Sequence, residues 1–510
     1  MKRRGLSVFR FLIVSLSGSL CGCAHLVTIS YRPGAVIHPA FNQQYTNWQG
    51  ERVEVDLTPS LKGDPRKYLA NYDQVYLADA IRQRGLHHEY RVTGTGTPLV
   101  VYVRNPRLTE KEKHYPTTGI TLGVTAVKER RPGQVPVLRI YDTYDQVVVR
   151  SRHSSHPIAA NYTAVLAVLH AHAHKVASSV GSFLRPDNPR FATGIYLIHP
   201  YDPKKIPILF VHGLISTPIS WQNLINDLSS DPAILEHYQP WFFLYPTGQP
   251  VLESAQQLRE DLASTQKLFD PTGTAVSSHH VVVVAHSMGG VLAHTLVSDS
   301  GDGLWDAFAN RPFKSLTLPP ELKKTALGYF FFRHNPSIDR VVFLAVPHRG
   351  SRLAAGIVGS VANRIIRHAK SPAKAMRELA KLYPGILTPY VAGVNRRGGP
   401  TSLFSLAPNP ILNSIAELPI RVRFHCVMGD HGRGGGPKSS DGVVPYSSSH
   451  LEGAESELIV PTGHVVFSND ATVAEIKRIL HENVGRSPYR HMASRLFVLF
   501  SSQRFRCFSD

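Results

Sequence analysis

Cysteine is scarce: the 510 residues contain four, Cys21, Cys23, Cys426 and Cys507, too few for a disulfide-built scaffold. Charge is thin as well. Only 18% of residues are Asp, Glu, Lys or Arg, below the roughly 25% of an average globular chain, while 43% are hydrophobic. A chain with that balance buries a large core, so wholesale disorder and a long coiled coil are excluded. No stretch approaches the roughly twenty consecutive apolar residues that cross a bilayer as a helix. Acidic residues are outnumbered 37 to 56, for a formal charge of +19. The basic side chains are dispersed, without aromatic interleaving or a recognition motif, which argues against nucleic acid as a partner. A diffuse positive surface remains compatible with anionic lipid. At roughly 150 residues per domain, the length implies two or three domains.

Basic charge does cluster at the N-terminus. Lys2, Arg3, Arg4 and Arg10 precede an apolar run from Phe11 to Leu20, and small residues follow. A basic stretch, a short apolar stretch and small residues together make residues 1–22 a secretory signal rather than a membrane span. The tetrapeptide Leu20-Cys21-Gly22-Cys23 resembles the bacterial lipoprotein box. That resemblance implies cleavage before Cys23, lipid attachment to its sulfur, and an exported lipoprotein anchored to a membrane of the bacterial cell envelope. An ordinary signal peptide with two incidental cysteines is the competing reading. Cys426, inside the strand-like run 422–427, reads as a buried small hydrophobe, and nothing supports its pairing with Cys507.

Residues 23–65, rich in Pro, Asn, Gln and Thr, read as a tether. From Asp64 the spacing of Tyr68, Tyr72, Val75, Tyr76, Ala78 and Ile81 predicts a helix with one buried face. Strand-like runs at 98–103, 120–127 and 137–149, then a helix over 161–184, complete a small α+β domain at 66–190. That helix carries His170, His172 and His174. No carboxylate or third ligand stands at useful spacing, so these histidines read as a helix face and no metal site is expected.

From Gly194 the texture becomes a regular alternation. Strands are predicted at 206–211, 241–245, 281–285, 338–346, 420–427 and 457–460. Helices are predicted from Thr217-Pro218 and over 251–269, 291–297 and 470–480. Alternating strands and helices imply an α/β domain over 194–485, with a mostly parallel sheet flanked by helices. Insertions at 299–337 and 351–418 read as lids. The tail 486–510 is basic and partly apolar, and no role follows from it.

The chemistry centres on Val281-Val282-Val283-Val284-Ala285-His286-Ser287-Met288-Gly289-Gly290. A buried strand runs into a tight turn and then a helix, and small residues (Ala285, Gly289) stand two positions either side of Ser287. Such a turn lifts the serine hydroxyl above the sheet, beside a helix N-terminus that favours negative charge. Here the chain resembles the α/β-hydrolase superfamily in its lipase and esterase branch, with Ala285 where the usual pattern has glycine. The resemblance covers roughly 194–485, includes the lid insertions, and implies Ser287 as nucleophile.

Three further pieces follow the family's order. Phe210-Val211-His212-Gly213-Leu214 resembles the oxyanion-loop segment, which implies an oxyanion hole from the backbone N–H groups of Leu214 and Met288. Losing one such donor typically costs about 100- to 1,000-fold in rate. Ser440-Asp441-Gly442-Val443-Val444-Pro445 resembles the acid-bearing turn, with Asp441 as the acid. Thr462-Gly463-His464 follows the 457–460 strand, with His464 as the base.

Rivals stand close by. Asp430 also follows a strand end, His431 and His450 lie near His464, and His212 and His286 read as structural or oxyanion-loop residues. Val346-Pro347-His348-Arg349-Gly350-Ser351 resembles a segment of esterases in the family that includes lipid-remodelling deacylases. There His348 and Arg349 read as contacts for an acidic headgroup or as a structural turn. Gly432 to Ser439 nearly spells a phosphate-binding loop, but Pro437 replaces a required glycine and lacks an N–H to donate.

The resemblance thus implies a membrane-tethered serine hydrolase that cleaves an ester or lipid substrate through an acyl-enzyme, with no cofactor. Two other classes fit the same residues: an acyltransferase or amidase using the same triad, and a non-catalytic envelope scaffold.

Overall fold

The computed structural model describes residues 27–32, 35–37, 45–48, 51–57, 72–105, 109–130, 132–145, 147–150, 155–173, 193–352, 370–396, 406–432 and 434–486. The predicted secretory segment, Cys23 and the tail lie outside them. Among the described residues no helix is long and apolar enough to cross a membrane.

The N-terminal part is built on a seven-stranded sheet of β1 (Val36–Ile37), β2 (Tyr45–Trp48), β3 (Glu51–Leu57), β4 (Gln74–Leu77), β5 (Thr97–Val103), β6 (Ile120–Glu129) and β7 (Val137–Asp142), in the order β1-β4-β5-β6-β7-β3-β2. All neighbours are antiparallel except β7 and β3. Two expectations are corrected here. Residues 23–65 are not simply a tether, because β1, β2 and β3 join the sheet and Thr28–Tyr31 pairs with Ile81–Arg84. The predicted helix ending at Ile81 is, from Gln74 onward, a strand, a short 3-10 turn (Ala78–Ala80) and a second strand. The rest of that predicted helix lies outside the described residues, apart from Tyr72 and Asp73.

The reason is that both faces of the sheet are covered. Val75 joins the core on one face and Tyr76 the core on the other, so apolar residues fall on adjacent positions and mimic a helical stripe. The run 137–149 also breaks. β7 ends at Asp142, and Val148–Arg150 pairs separately with Ser155–Pro157.

Helix α1 (Tyr162–Ala173) explains how the N-terminal sheet meets the rest. Residues 162–170 are buried, which is the mark of a helix enclosed on every side. Ala164, Val165 and Val168 pack on the N-terminal sheet, while Leu166, Ala167 and Leu169 join the core of the second sheet. The end of the predicted helix, from His174, lies outside the described residues.

The second sheet has seven strands: β8 (Gly194–Leu197), β9 (Ile206–Val211), β10 (Tyr238–Leu244), β11 (Val281–His286), β12 (Ile338–Leu344), β13 (Arg423–Gly429) and β14 (Ser456–Val460). Their order is β8-β10-β9-β11-β12-β13-β14, with β8 antiparallel and the rest parallel. Period-two alternation divides each central strand between two cores. Leu209, Val211, Val283, Ala285, Val341 and Phe343 face one side; Ile208, Phe210, Val282, Val284, Val342 and Leu344 face the other.

Helices cover both faces. On the first side lie α3 (Val251–Phe269) and α4 (Met288–His294); on the second lie α2 (Gln222–Leu228) and, at the C-terminus, α10 (Asp470–Arg486). A cap formed by the two insertions contributes α5 (Gly303–Phe308), α6 (Pro320–Phe330), α7 (Lys370–Leu382), α8 (Pro389–Arg396) and α9 (Pro410–Glu417). This is the α/β-hydrolase architecture, preceded by an additional α+β portion.

Buried polar contacts stitch the two parts together. Lys205 is only 8% exposed, and its ammonium donates to the carbonyls of Tyr144 (2.6 Å) and Leu235 (2.7 Å). Burial pushes its pKa down, while Asp142 and Asp202 push the other way. Replacing Lys205 with Met is expected to leave both carbonyls unpaired at about 1–3 kcal/mol each, lowering the unfolding midpoint in denaturant. An unchanged midpoint would remove Lys205 as a structural staple.

Candidate active site

The turn between β11 and α4 is strained. Ser287 has φ 52° and ψ −127°, a conformation that costs a non-glycine residue about 1–3 kcal/mol. Its N–H donates to Leu344 O (2.9 Å) on the neighbouring strand, and its carbonyl accepts from Gly290 N–H (2.9 Å), so sheet and helix hold the turn between them.

Close approach explains the small residues. A Cβ at Gly289 would lie 2.4 Å from Val211 O and 2.5 Å from His212 O, because α4 rests on the end of β9. A Cβ at Gly213 would lie 2.9 Å from Ser287 Cβ. The sequence pattern pointed to Ala285 and Gly289; the need for glycine at 213 is tertiary, since two loops distant in sequence meet there.

The imidazole of His464 bridges two groups. In the tautomer with hydrogen on Nδ1, it donates to Asp441 Oδ2 (2.6 Å) and accepts at Nε2 from the Ser287 hydroxyl (2.9 Å). All three are buried, at 7% exposure for Ser287, 3% for His464 and 4% for Asp441. Asp441 Oδ1 also accepts from the N–H groups of Val443 (2.7 Å) and Val444 (2.6 Å). Burial alone would raise the Asp441 carboxyl. The charge and hydrogen bond of His464, with the N–H groups of Val444 and Val443, hold it below the ordinary value instead.

Leu214 follows Gly213 on the loop after β9 and is buried, and Met288 is the first residue of α4. That loop is anchored twice. Tyr245 donates to His212 O (2.7 Å), and Ile215, itself at φ 53°, donates its N–H to Thr247 Oγ1 (3.1 Å).

The rivals are engaged elsewhere. Asp430 accepts from Gly435 N–H (3.0 Å), and His450 contacts Glu457, whose carboxylate raises its pKa. His431 donates its backbone N–H to Ser440 O (2.8 Å). The headgroup reading of His348 is corrected. His348 is fully buried with its Nδ1 3.3 Å from that of His294, and so belongs to the packing of a turn. Arg349 is exposed and braces the same turn by donating to the carbonyls of Ser447 (3.2 Å) and His450 (2.7 Å). His170 is buried, and His172 stacks on Tyr102 with ring centroids 3.7 Å apart. Cys426 is buried in β13, and burial pushes its thiol up to about 12.

Sequence reasoning did not find the cavity inside the cap. It is apolar, about 110 Å³, and is lined by Leu252, Phe308, Leu322, Met376, Leu379 and Leu412 among others. Leu252 lies in the first turn of α3, just beyond the β10 end, at the same edge of the sheet from which Ser287 rises. The lining comes from α3 and the cap helices, so no contiguous stretch of sequence announces it.

No protein-family model matches the chain, and no curated protein matches its sequence. Solved structures that resemble it include the mature form of Bacillus licheniformis lipase BlEst2, at 18% identity and TM-score 0.32, covering 57% of this chain and 97% of that one. Esterase B from Lactobacillus rhamnosis matches at 12% identity and TM-score 0.32, covering 59% and 82%. The thioesterase domain of the curacin biosynthetic pathway matches at 13% and 0.28, covering 57% and 99%. The architecture stated above rests on the chain's own strand order and on the turn at Ser287.

Several histidines around this site are held neutral. Burial lowers His212 to about 4, His286 to about 3 and His294 to about 4, and pushes His348 well below its ordinary value. The unfolded chain takes up these protons near pH 6.5 and the folded chain does not, so stability falls as pH drops through that window. The loss is up to about 1.4 kcal/mol per pH unit for each buried histidine. His280, His450 and His481, raised by Asp339, Glu457 and Asp231, offset part of it. Denaturant titrations are expected to give lower stability at pH 5 than at pH 7, and equal values would contradict neutral burial.

Proposed function

We propose that the protein is a serine hydrolase that cleaves carboxylic esters carrying apolar acyl groups. The observation that carries this reading is the hydrogen-bonded chain Ser287–His464–Asp441 at the end of a parallel strand and the start of a helix. In this mechanism the Ser287 oxygen attacks the acyl carbon as His464 Nε2 takes its proton. Asp441 keeps the imidazole in the tautomer whose Nε2 is free to accept, and stabilises the imidazolium that forms. The N–H groups of Leu214 and Met288 bind the oxyanion, aided by the N-terminus of α4. The imidazolium then returns the proton to the leaving alcohol, which leaves an acyl-enzyme. Water, deprotonated by His464, attacks the acyl-enzyme and releases the acid. The apolar cavity in the cap supports an apolar acyl group as its occupant.

We further propose export to the bacterial cell envelope and membrane tethering through lipid on Cys23, supported by the basic and apolar run before it. Such an anchor would keep the enzyme beside membrane-derived esters.

A fluorophosphonate probe is expected to label the wild type and not Ser287→Ala. A chain-length series of p-nitrophenyl esters is expected to give turnover that rises with acyl length and disappears in Ser287→Ala. Labelling or turnover that survives in Ser287→Ala would sink the assignment of the nucleophile. Separately, Cys23→Ser is expected to move the protein from the membrane fraction to the soluble fraction in high salt. If that variant stays with the membranes, lipid anchoring at Cys23 is wrong.

A further inference from the structure

His286 stands immediately before Ser287, and its ring packs among segments distant in sequence. Its Nε2 lies 2.9 Å from the backbone carbonyl oxygen of His464. Only a protonated ring nitrogen donates to a carbonyl, so the neutral imidazole carries its hydrogen on Nε2. The Nδ1 edge then lies against the loop after β9, where a Cβ at Gly213 would come within 3.0 Å of it. Aromatic rings close the remaining sides. Trp221 and Phe467 stand edge-on, with centroids 6.4 Å and 4.9 Å away, and the His464 ring lies 4.8 Å away. His286 is 3% exposed, and burial together with the nearby His464 keeps it neutral.

We propose that His286 is the positioning residue that holds His464 against Ser287. The inference rests on the triad reading above and adds a part that the triad does not contain. Two consecutive residues grip one histidine: the Ser287 hydroxyl donates to the His464 ring, and the His286 ring N–H donates to the His464 backbone carbonyl. His464 sits on a loop after β14, two strands beyond β12 on the far side of β11, so its distance from Ser287 is set by the loop as well as by the sheet. The bond from Nε2 ties that loop directly to the nucleophile's own strand. The Nδ1 edge lies against the loop after β9 at Gly213, so one imidazole meets both the His464 loop and the loop that carries Leu214. Asp441 orients the His464 ring about its own bonds, and His286 sets where the backbone carrying that ring stands.

Positioning of this kind acts on turnover more than on substrate binding. His286→Phe keeps the bulk against Trp221 and Phe467 but removes the donor. It is expected to lower kcat about 10- to 100-fold, with KM changed less than about twofold and a matching fall in the rate of fluorophosphonate labelling. His286→Gln carries an amide N–H at nearly the reach of Nε2 and is expected to recover most of the loss. His286→Asn has the same amide on a shorter stem and is expected not to recover it. The Gln and Asn pair keeps the test decisive if the Phe variant fails to fold. Equal kcat in the Gln and Asn variants, or wild-type kcat in a folded Phe variant, overturns the proposal. Failure of the underlying reading looks different: the wild type itself would then go unlabelled, or Ser287→Ala would stay active.

Discussion

A single hydrogen bond joins residues 177 positions apart, from the Ser287 hydroxyl to His464 Nε2 at 2.9 Å, and the rest of the architecture serves to make it possible. Such a bond needs three things: a serine lifted clear of its own backbone, an imidazole in the accepting tautomer, and two loops fixed to within a fraction of an ångström. The first comes from the strained turn at Ser287. The second comes from Asp441, which His464, together with two backbone N–H groups, holds ionised while buried. The third comes from the sheet.

Because both faces of the second sheet are covered, β9 and β11 are buried along their whole length, β12 is buried at all but Asp339, and none can slip in register without exposing apolar side chains. That rigidity is what tolerates strain at Ser287. The unfavourable backbone conformation is offset by hydrogen bonds to Leu344 and Gly290 and by the packing of α4 on β9, where only glycine at 289 leaves room. The N-terminal part adds to the same core through α1 and the staple at Lys205, so it supports the second sheet through direct burial.

What was legible in the chain was mostly local. The valine run from 281 to 284, the small residues around Ser287 and the helix that follows announce themselves because strand, turn and helix are contiguous. α3 was bounded correctly from its amphipathic spacing. The N-terminal sheet is less legible. Strands β1 and β2 are short, β3 is rich in acidic residues, and the covered sheet around Val75 and Tyr76 loses the alternation that separates strand from helix. The contact between the ring at 286 and the His464 carbonyl is invisible for another reason: nothing in the sequence says which carbonyl a buried imidazole will meet.

Sequence by itself determined that a buried parallel sheet forms, that one serine occupies a strand–turn–helix, and that an aspartate and a histidine follow in the order such a site uses. These are statements about neighbours along the chain, where apolar periodicity and turn chemistry act. Tertiary structure alone decided that Asp441, rather than Asp430, meets the imidazole, that His348 turns inward to His294, and that an apolar hollow opens in the cap. Each of those outcomes depends on how separate loops pack against a common sheet, and the distances involved are set by contacts that no single segment contains.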